Sequence, residues 1–434
     1  MRHLVTVVGA GLAGSEATYQ LIQRGIAVRL IEMRPKVMTP AHHSEDFAEL
    51  VCTNSLRGDT LKQAVGVLKE EMRLFDSLIV NTADAHRVPA GGALAVDREG
   101  FSKSITQTLK NHPLVTFVEE ELTEIPEGPW LLATGPLTSP ALMQALQTIM
   151  PEEALYFYDA AAPMIEADSI NLDVCYRKSR YDKGGADYLN CPMDEATYQA
   201  FHSALVQAAC VPIKDFELKV FEGCMPIEEM ARRGEKTLLF GPLKPVGLAQ
   251  ENQARPHAVV QLRQDDARGS LYNLVGFQTH LTFPEQRRII RMIPGLEAAN
   301  IVRYGVMHRN SFVNAPTLLD ATYRLKAGGQ RYLAGQLTGV EGYVESAASG
   351  MIAGISLARH LLGQPEKKFP KETVMGAMAD YIAHADPKHF QPMNANFGLL
   401  PALDFKHKKQ DRKGLMAERA LEAVRRFKGE LDES

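Results

Sequence analysis

A short, largely apolar run occupies Leu4 to Val8, and Gly9, Gly11 and Gly14 follow it at once. The pattern then turns helical as far as Gly25, and a second run, Ala27 to Ile31, ends on the acid Glu32. Apolar run, glycine turn, helical periodicity and apolar run together predict a βαβ unit on a buried parallel sheet. The same alternation returns further on. Arg98 to Lys110 reads as a helix, Leu114 to Glu119 as a strand, and Trp130 to Pro136 as a strand with its turn. Tyr332 to Tyr343 predicts a strand and a polar Gly-rich turn, and Val344 to Leu362 a helix carrying Ala347, Ala348, Gly350, Ala353 and Gly354. Between these stretches the texture differs. From about Ala160 to Tyr323, short runs alternate with turns such as Gly241-Pro242 and Lys244-Pro245-Val246-Gly247, as in a mixed sheet. Pro35 to about Val80 predicts a long polar loop with a helix, Ala208 to Val211 an apolar core helix, and Asp404 to Ser434 a charged helical tail.

The opening turn carries the GxGxxG spacing, Gly9-Ala10-Gly11-Leu12-Ala13-Gly14. Gly9 makes the tight turn, Gly11 lets backbone approach a pyrophosphate, and Gly14 lets the helix pack close to the strand. Glu32 lies where a carboxylate accepts from a ribose 2′-hydroxyl and repels a 2′-phosphate. These residues admit FAD or NAD. The second strand–turn–helix unit, with Gly335 and Thr338 in its turn, suits a ligand too long for one mononucleotide site. It resembles the C-terminal FAD signature of flavoproteins with a glutathione-reductase-like fold, and Trp130 to Pro136, with Thr134 and Gly135, resembles their strand-and-ATG segment. Three unrelated turns of an ordinary α/β protein are the alternative. The order of the pieces favours FAD. The expected fold is α/β: an FAD-binding Rossmann domain in two parts, residues 1–159 and 326–434, around an inserted mixed α/β domain at 160–325.

Bulk properties then narrow the class. A chain of 434 residues is long enough for two or three domains. The formal net charge of −4 gives no global reason to expect nucleic acid, although a basic face can sit on an acidic protein. No apolar run has the length of a membrane span, and the early first strand leaves no room for a signal peptide, so a cytoplasmic protein is expected. Five cysteines without CxxC or zinc spacing predict reduced thiols and no metal site.

Cys52 lies in an apolar approach to a polar turn, Glu49 to Gly58, and Cys224 lies between a strand-like run and a Pro-led helix, Phe221 to Met230. Backbone N–H groups at a turn or helix start favour thiolate, whereas an isolated cysteine is more often a small buried hydrophobe. Cys175, Cys191 and Cys210 carry no such context.

The opening Gly9 to Ala17, the loop Cys52 to Gly58, the stretch Gly91 to Ser102 and the segment Phe221 to Gly234 occur together in folate- and FAD-dependent tRNA uracil-5-methyltransferases, the TrmFO family, which the whole chain resembles. The GidA family is similar at the glycine turn but is expected to be longer by a helical C-terminal domain. The resemblance implies that methylene from 5,10-methylenetetrahydrofolate goes to C5 of uridine 54 in the tRNA T loop. Reduced FAD would supply electrons, and NADH or NADPH would re-reduce it. Uracil C5 is a poor nucleophile until a thiolate adds at C6, a proton must then leave C5, and the exocyclic methylene must be reduced. Cys52 and Cys224 would divide the roles of nucleophile and acid/base. Neither a membrane nor a stable protein partner is implied.

Basic clusters at Arg232-Arg233, Arg287-Arg288 with Arg291, Lys406 to Lys409, and Arg425-Arg426 with Lys428 are candidate phosphate contacts. Tyr304 and Phe312 are candidates to stack an extruded base, and His42-His43 reads as loop surface. Three rivals stand beside the methyltransferase. A small-molecule FAD oxidoreductase lacks support, because the chain has neither a CxxxxC pair near Cys52 nor an Asp-Gly dipeptide of the monooxygenase kind. A non-catalytic RNA-binding flavoprotein and an rRNA uracil-5-methyltransferase are the other two.

Overall fold

The protein is described from a computed structural model, which covers residues 3–433 except 40, 151–154, 157–158, 183–184, 212–224, 251–253, 265–268, 270, 309–311, 388–389, 391 and 409. The chain opens with β1 (Leu4–Val8), α1 (Leu12–Ile22) and β2 (Ala27–Glu32). A small sheet and three helices follow: β3 (Ser55–Gly58), α2 (Ala64–Leu74), α3 (Leu78–Ala85), β4 (Arg87–Val88), β5 (Ala93–Val96) and α4 (Arg98–Lys110). The predicted polar loop after Pro35 therefore holds more structure than its composition suggests, because two helices and a strand of it pack into the main core. Next come β6 (Val115–Glu119), β7 (Trp130–Leu132) and α5 (Pro140–Gln147).

The chain then crosses out through β8 (Leu155–Tyr156) and β9 (Asp159–Ala161) into β10 (Met164–Glu166), β11 (Tyr176–Arg177), β12 (Tyr188–Met193) and α6 (Glu195–Gln207). The helices α7 (Ile227–Arg232) and α8 (Thr237–Phe240) precede β13 (Ala258–Gln264), β14 (Leu271–Leu274), α9 (Phe283–Ile290) and β15 (Ile301–Arg303). It returns through β16 (Val306–His308), paired with β9, and β17 (Phe312–Val313), paired with β8. The last part is α10 (Ala315–Leu318), β18 (Arg331–Leu333), α11 (Tyr343–Leu361), α12 (Val374–His384) and α13 (Arg412–Asp432).

The cofactor-side sheet is parallel in the order β18-β7-β1-β2-β6. Its strands are apolar on both faces because helices cover both, and Val5, Val7, Leu131, Leu132 and Trp130 are buried. A second sheet, order β11-β12-β13-β14-β10-β15, is antiparallel and has its own apolar core with α6 and α9. The small residues of α11 serve packing rather than a ligand. A Cβ on Gly350 would collide with the Ala13 carbonyl, and one on Gly354 would press on Ala17, so these glycines let α11 lie against α1. Within the charged tail, α13 begins at Arg412. Met416, Ala420, Val424 and Phe427 recur on one face of α13 and are buried against the main core, each large side chain worth about 1.5–3 kcal/mol. Ala208 caps α6, so Cys210 lies beyond it in a bridge to Leu281 rather than in an apolar helix, half-buried beside Arg232. Among the described residues, no helix is long and apolar enough to cross a membrane.

Candidate active site at the glycine-turn cleft

The carboxyl ends of β1, β2 and β7 and the start of α1 open into a cleft. Gly9, Gly11, Leu12, Ala13, Glu32, Thr134, Gly135, Gly335 and Cys52 all line it. Gly9 has φ +93° and its missing Cβ leaves room for Ala133. A Cβ on Gly11 would meet no protein atom, so the space it leaves belongs to the cleft. Gly14 faces away and lets α1 sit on the Gly9 carbonyl, which a Cβ would strike. The glycine turn is thus a bare cradle at a helix N-terminus, which fits a pyrophosphate.

Glu32 ends β2 with only 7% of its surface exposed. It accepts from the N–H of Ala10 at 2.8 Å and from the N–H and Nε of Arg34, each at 3.1 Å. Burial alone would raise its carboxyl, but the Arg34 charge and these hydrogen bonds outweigh that and hold it below the usual range. Arg34, 2% exposed, also donates to the carbonyls of Ser44 and Asp46 and pairs with Glu49. It was not legible as a site residue, because only the tertiary fold brings residues 44–49 onto it. His42 corrects the reading of His42-His43 as surface. Its ring lines the cleft with Nδ1 2.5 Å from Thr39 Oγ1, and burial, then the Arg34 charge, pushes it down to about 4. His43 is exposed.

Cys52 sits on the cleft wall through an unexpected clamp. The hydroxyl of Tyr343, the first residue of α11, accepts from the N–H of Cys52 at 2.7 Å and of Thr53 at 3.1 Å. Burial, with the charge of Cys52 next, raises the Tyr343 phenol well above its ordinary value, so it stays protonated. Two residues along α11, buried Glu345 takes the guanidinium of Arg57. Lys69 donates to the carbonyls of Leu56 at 2.9 Å and Gly58 at 2.8 Å, and burial lowers it to about 7. The second sheet reaches the same loop. Asn54, fully buried, donates to the carbonyls of Val96 and Gln264, and Arg263 donates to Asn54 and to Thr53.

The remaining expected positions fall differently. Thr338 is buried and its hydroxyl turns onto the Gly335 carbonyl at 2.8 Å, away from the cleft wall. Ala10 offers its N–H to Glu32. Cys224 lies outside the described residues. Phe312 packs edge-on against Phe390, so it does not stand out as a stacking ring. Tyr304 stacks on Phe283, with ring centroids 4.6 Å apart, and takes Arg287 on its hydroxyl. Arg288 is paired with Glu285 and Arg232 with Glu229, while Arg425, Arg426, Lys406 and Lys408 are exposed and Lys409 lies outside the described residues.

A family model described as Glucose inhibited division protein A matches residues 4–365. Proteins named methylenetetrahydrofolate--tRNA-(uracil-5-)-methyltransferase TrmFO match over nearly the whole chain. That of Anoxybacillus flavithermus is 61% identical over 98% of this chain and 99% of its own length. That of Listeria monocytogenes is 61% identical over 99% and 100%. The chain belongs to the TrmFO family. Among solved structures, Aquifex aeolicus GidA superposes with a TM-score of 0.70 at 15% identity, covering 99% of this chain and 76% of that one. A second crystal form gives 0.69 over 98% and 73%. The fold is shared at that distance, and the sequence kinship lies with TrmFO.

Proposed function

We propose that this TrmFO-family protein methylates C5 of uridine 54 in the T loop of tRNA, with 5,10-methylenetetrahydrofolate as the one-carbon donor and FAD bound in the glycine-turn cleft. The observation that carries the reading is the position of Cys52. It lies on the wall of the same cleft as Gly9, Gly11 and Glu32, so a cysteine lines the space that suits a dinucleotide. A tRNA substrate places the work in the cytoplasm. When bound, FAD supplies the reducing equivalents that turn a transferred methylene into methyl, with NADH or NADPH as their source.

The chain's own groups do the rest. The bare turn at Gly11 receives the pyrophosphate, and Glu32, kept ionised by Arg34, accepts from a ribose hydroxyl. Cys52 and Cys224 share two tasks. One thiolate adds to C6 of uracil, pushing electron density onto C5, which attacks the methylene carbon. The other group removes the C5 proton as the folate nitrogen departs from the methylene carbon, leaving an exocyclic methylene at C5. A hydride equivalent, which bound FAD would supply, then makes it methyl while the first sulfur leaves C6 and the ring double bond is restored. Tyr343 fixes the backbone at Cys52, and Arg57, Lys69 and Asn54 fix the loop beyond it.

The test is nucleoside mass spectrometry of unmodified T-loop RNA incubated with protein, NADH and methylenetetrahydrofolate labelled in its one-carbon unit. Labelled 5-methyluridine is expected. Equal incorporation from labelled S-adenosylmethionine with folate omitted would remove the proposal, because a donor that already carries a methyl leaves a reductant idle.

A further inference from the structure

Two thiols that the reaction does not use face each other in the second core. Cys191 is on β12 and Cys175 directly precedes β11, and the pairing of Tyr176 with Asn190 and Arg177 with Leu189 continues to set Cys175 opposite Cys191. Their sulfurs lie 3.2 Å apart, closer than ordinary van der Waals contact between sulfur atoms, and the residues are 3% and 0% exposed. Directly opposed residues on antiparallel strands have Cα separations of about 4.5–5.5 Å, inside the window that a disulfide spans. A closure of about 1 Å would bring the sulfurs to bonding distance. Cys210, in the same domain, is half-buried with its sulfur beside the Arg232 guanidinium instead.

The surroundings prepare the pair unequally. The hydrogen bond between the two sulfurs lowers Cys175, while that bond and burial push Cys191 up. Gly295, with φ +86°, packs over the sulfur of Cys175, where any Cβ would collide. The hairpin they would join is a strut between the two sheets' domains. At its tip the Tyr188 hydroxyl donates to the Ala90 carbonyl at 3.3 Å, and Asp187 accepts from the N–H of Gly91. Its outer strand β11 is two residues long and, among the described residues, pairs with β12 alone, while the Tyr176 hydroxyl donates to the Leu248 carbonyl and Arg177 donates to the Tyr272 hydroxyl.

We propose that Cys175 and Cys191 form a peroxide-responsive dithiol site that closes to a cross-strand disulfide and fastens the β11–β12 hairpin. The sulfur of Cys175 attacks the O–O bond of hydrogen peroxide, giving a sulfenic acid and one water. The sulfur of Cys191 then displaces the sulfenic oxygen as a second water. Two thiols and one peroxide become one disulfide and two waters, with the thiols oxidised by two electrons.

The experiment treats the full-length protein with hydrogen peroxide, blocks remaining thiols, digests it and maps cross-linked peptides by mass spectrometry. The expected product is a Cys175–Cys191 peptide pair lighter by two hydrogens than its parts, restored by dithiothreitol and present also in Cys52→Ser and Cys210→Ser proteins. In a Cys191→Ser protein, Cys175 should instead accumulate as sulfenic acid that dimedone traps. The inference is overturned if peroxide that consumes Cys210 leaves both thiols separately alkylatable after unfolding. Linkage of either one to a different cysteine overturns it too. The readout is independent of methyl transfer, so it stands or falls apart from the proposed activity.

Discussion

Replacing Tyr343 by Phe removes one oxygen and keeps the ring that lines the cleft. That oxygen accepts from two backbone donors, the N–H groups of Cys52 and Thr53, at 2.7 and 3.1 Å. An N–H left without an acceptor costs about 1–3 kcal/mol, with the low end applying where water can reach it. Cys52 and Thr53 are only partly buried, so about 1 kcal/mol each is the appropriate figure, or roughly 2 kcal/mol against the observed loop conformation. If that conformation is the reactive one, the barrier rises by the same amount and the rate of methyl transfer falls by about 30-fold. Flavin content should stay near wild type, because the glycine turn and Glu32 are untouched. The assay measures label transferred to T-loop RNA per bound flavin, together with the rate at which iodoacetamide modifies Cys52. A rate per bound flavin within twofold of wild type would refute the clamp, as would a loss of activity that merely tracks loss of flavin.

Three further outcomes follow from the same geometry. Gly11→Leu should fold but lose FAD, because its side chain enters only the cleft, whereas Gly14→Leu should lose stability, because it strikes the Gly9 carbonyl; absorbance of heat-released FAD and melting curves separate the two, and equal flavin in Gly11→Leu would count against the cradle. Cys52→Ser and Cys224→Ser should each lower methyl transfer by about a hundredfold or more, since serine is scarcely ionised at neutral pH, with flavin content measured alongside. Glu71, fully buried, accepts from the N–H groups of Val374 and Met375, yet burial raises it to about 8. The unfolded chain then releases the proton near the ordinary carboxyl value while the folded one keeps it, so stability should fall as pH rises to about 8, by at most about 1.4 kcal/mol per unit. Denaturant midpoints across that window should show a smaller slope in Glu71→Gln, and an unchanged slope would refute the assignment.

Local physics made part of this protein legible. The run Leu4 to Val8, the glycine spacing and the acid at Glu32 are each dictated by neighbours within one βαβ unit, and the strand–turn–helix order appears as expected. The glycines of α11 misled because a missing Cβ says that something comes close, not what. Here it is the backbone of α1. The clamp on Cys52 was out of reach, since Tyr343 lies 291 residues further along the chain. Arg34 stands two places from Glu32, yet its weight comes from the carbonyls of Ser44 and Asp46 and from Glu49, which only the folded loop delivers. His42 looked like surface because its loop is polar. The loop folds back and buries the ring at the cleft.

The discontinuity of the cofactor-side domain has a consequence for the site. Residues 52–58 are held from three directions, one of them local and two of them distant in sequence. The first turn of α11 supplies Tyr343 and Glu345, α2 supplies Lys69, and the end of β13 supplies Arg263 and the Gln264 carbonyl. Lys69 is a local partner, whereas Tyr343 and Glu345 come from the helix that follows β18, and Arg263 and Gln264 come from the second sheet. A thiol on a polar turn would be a hazard in a half-folded chain that could already hold a cofactor. Because its backbone partner is the residue that begins α11, the geometry of Cys52 is tied to a helix start that also lines the cleft. The same helix start lines the cleft and holds the backbone at Cys52, so the two parts of the site share one structural element.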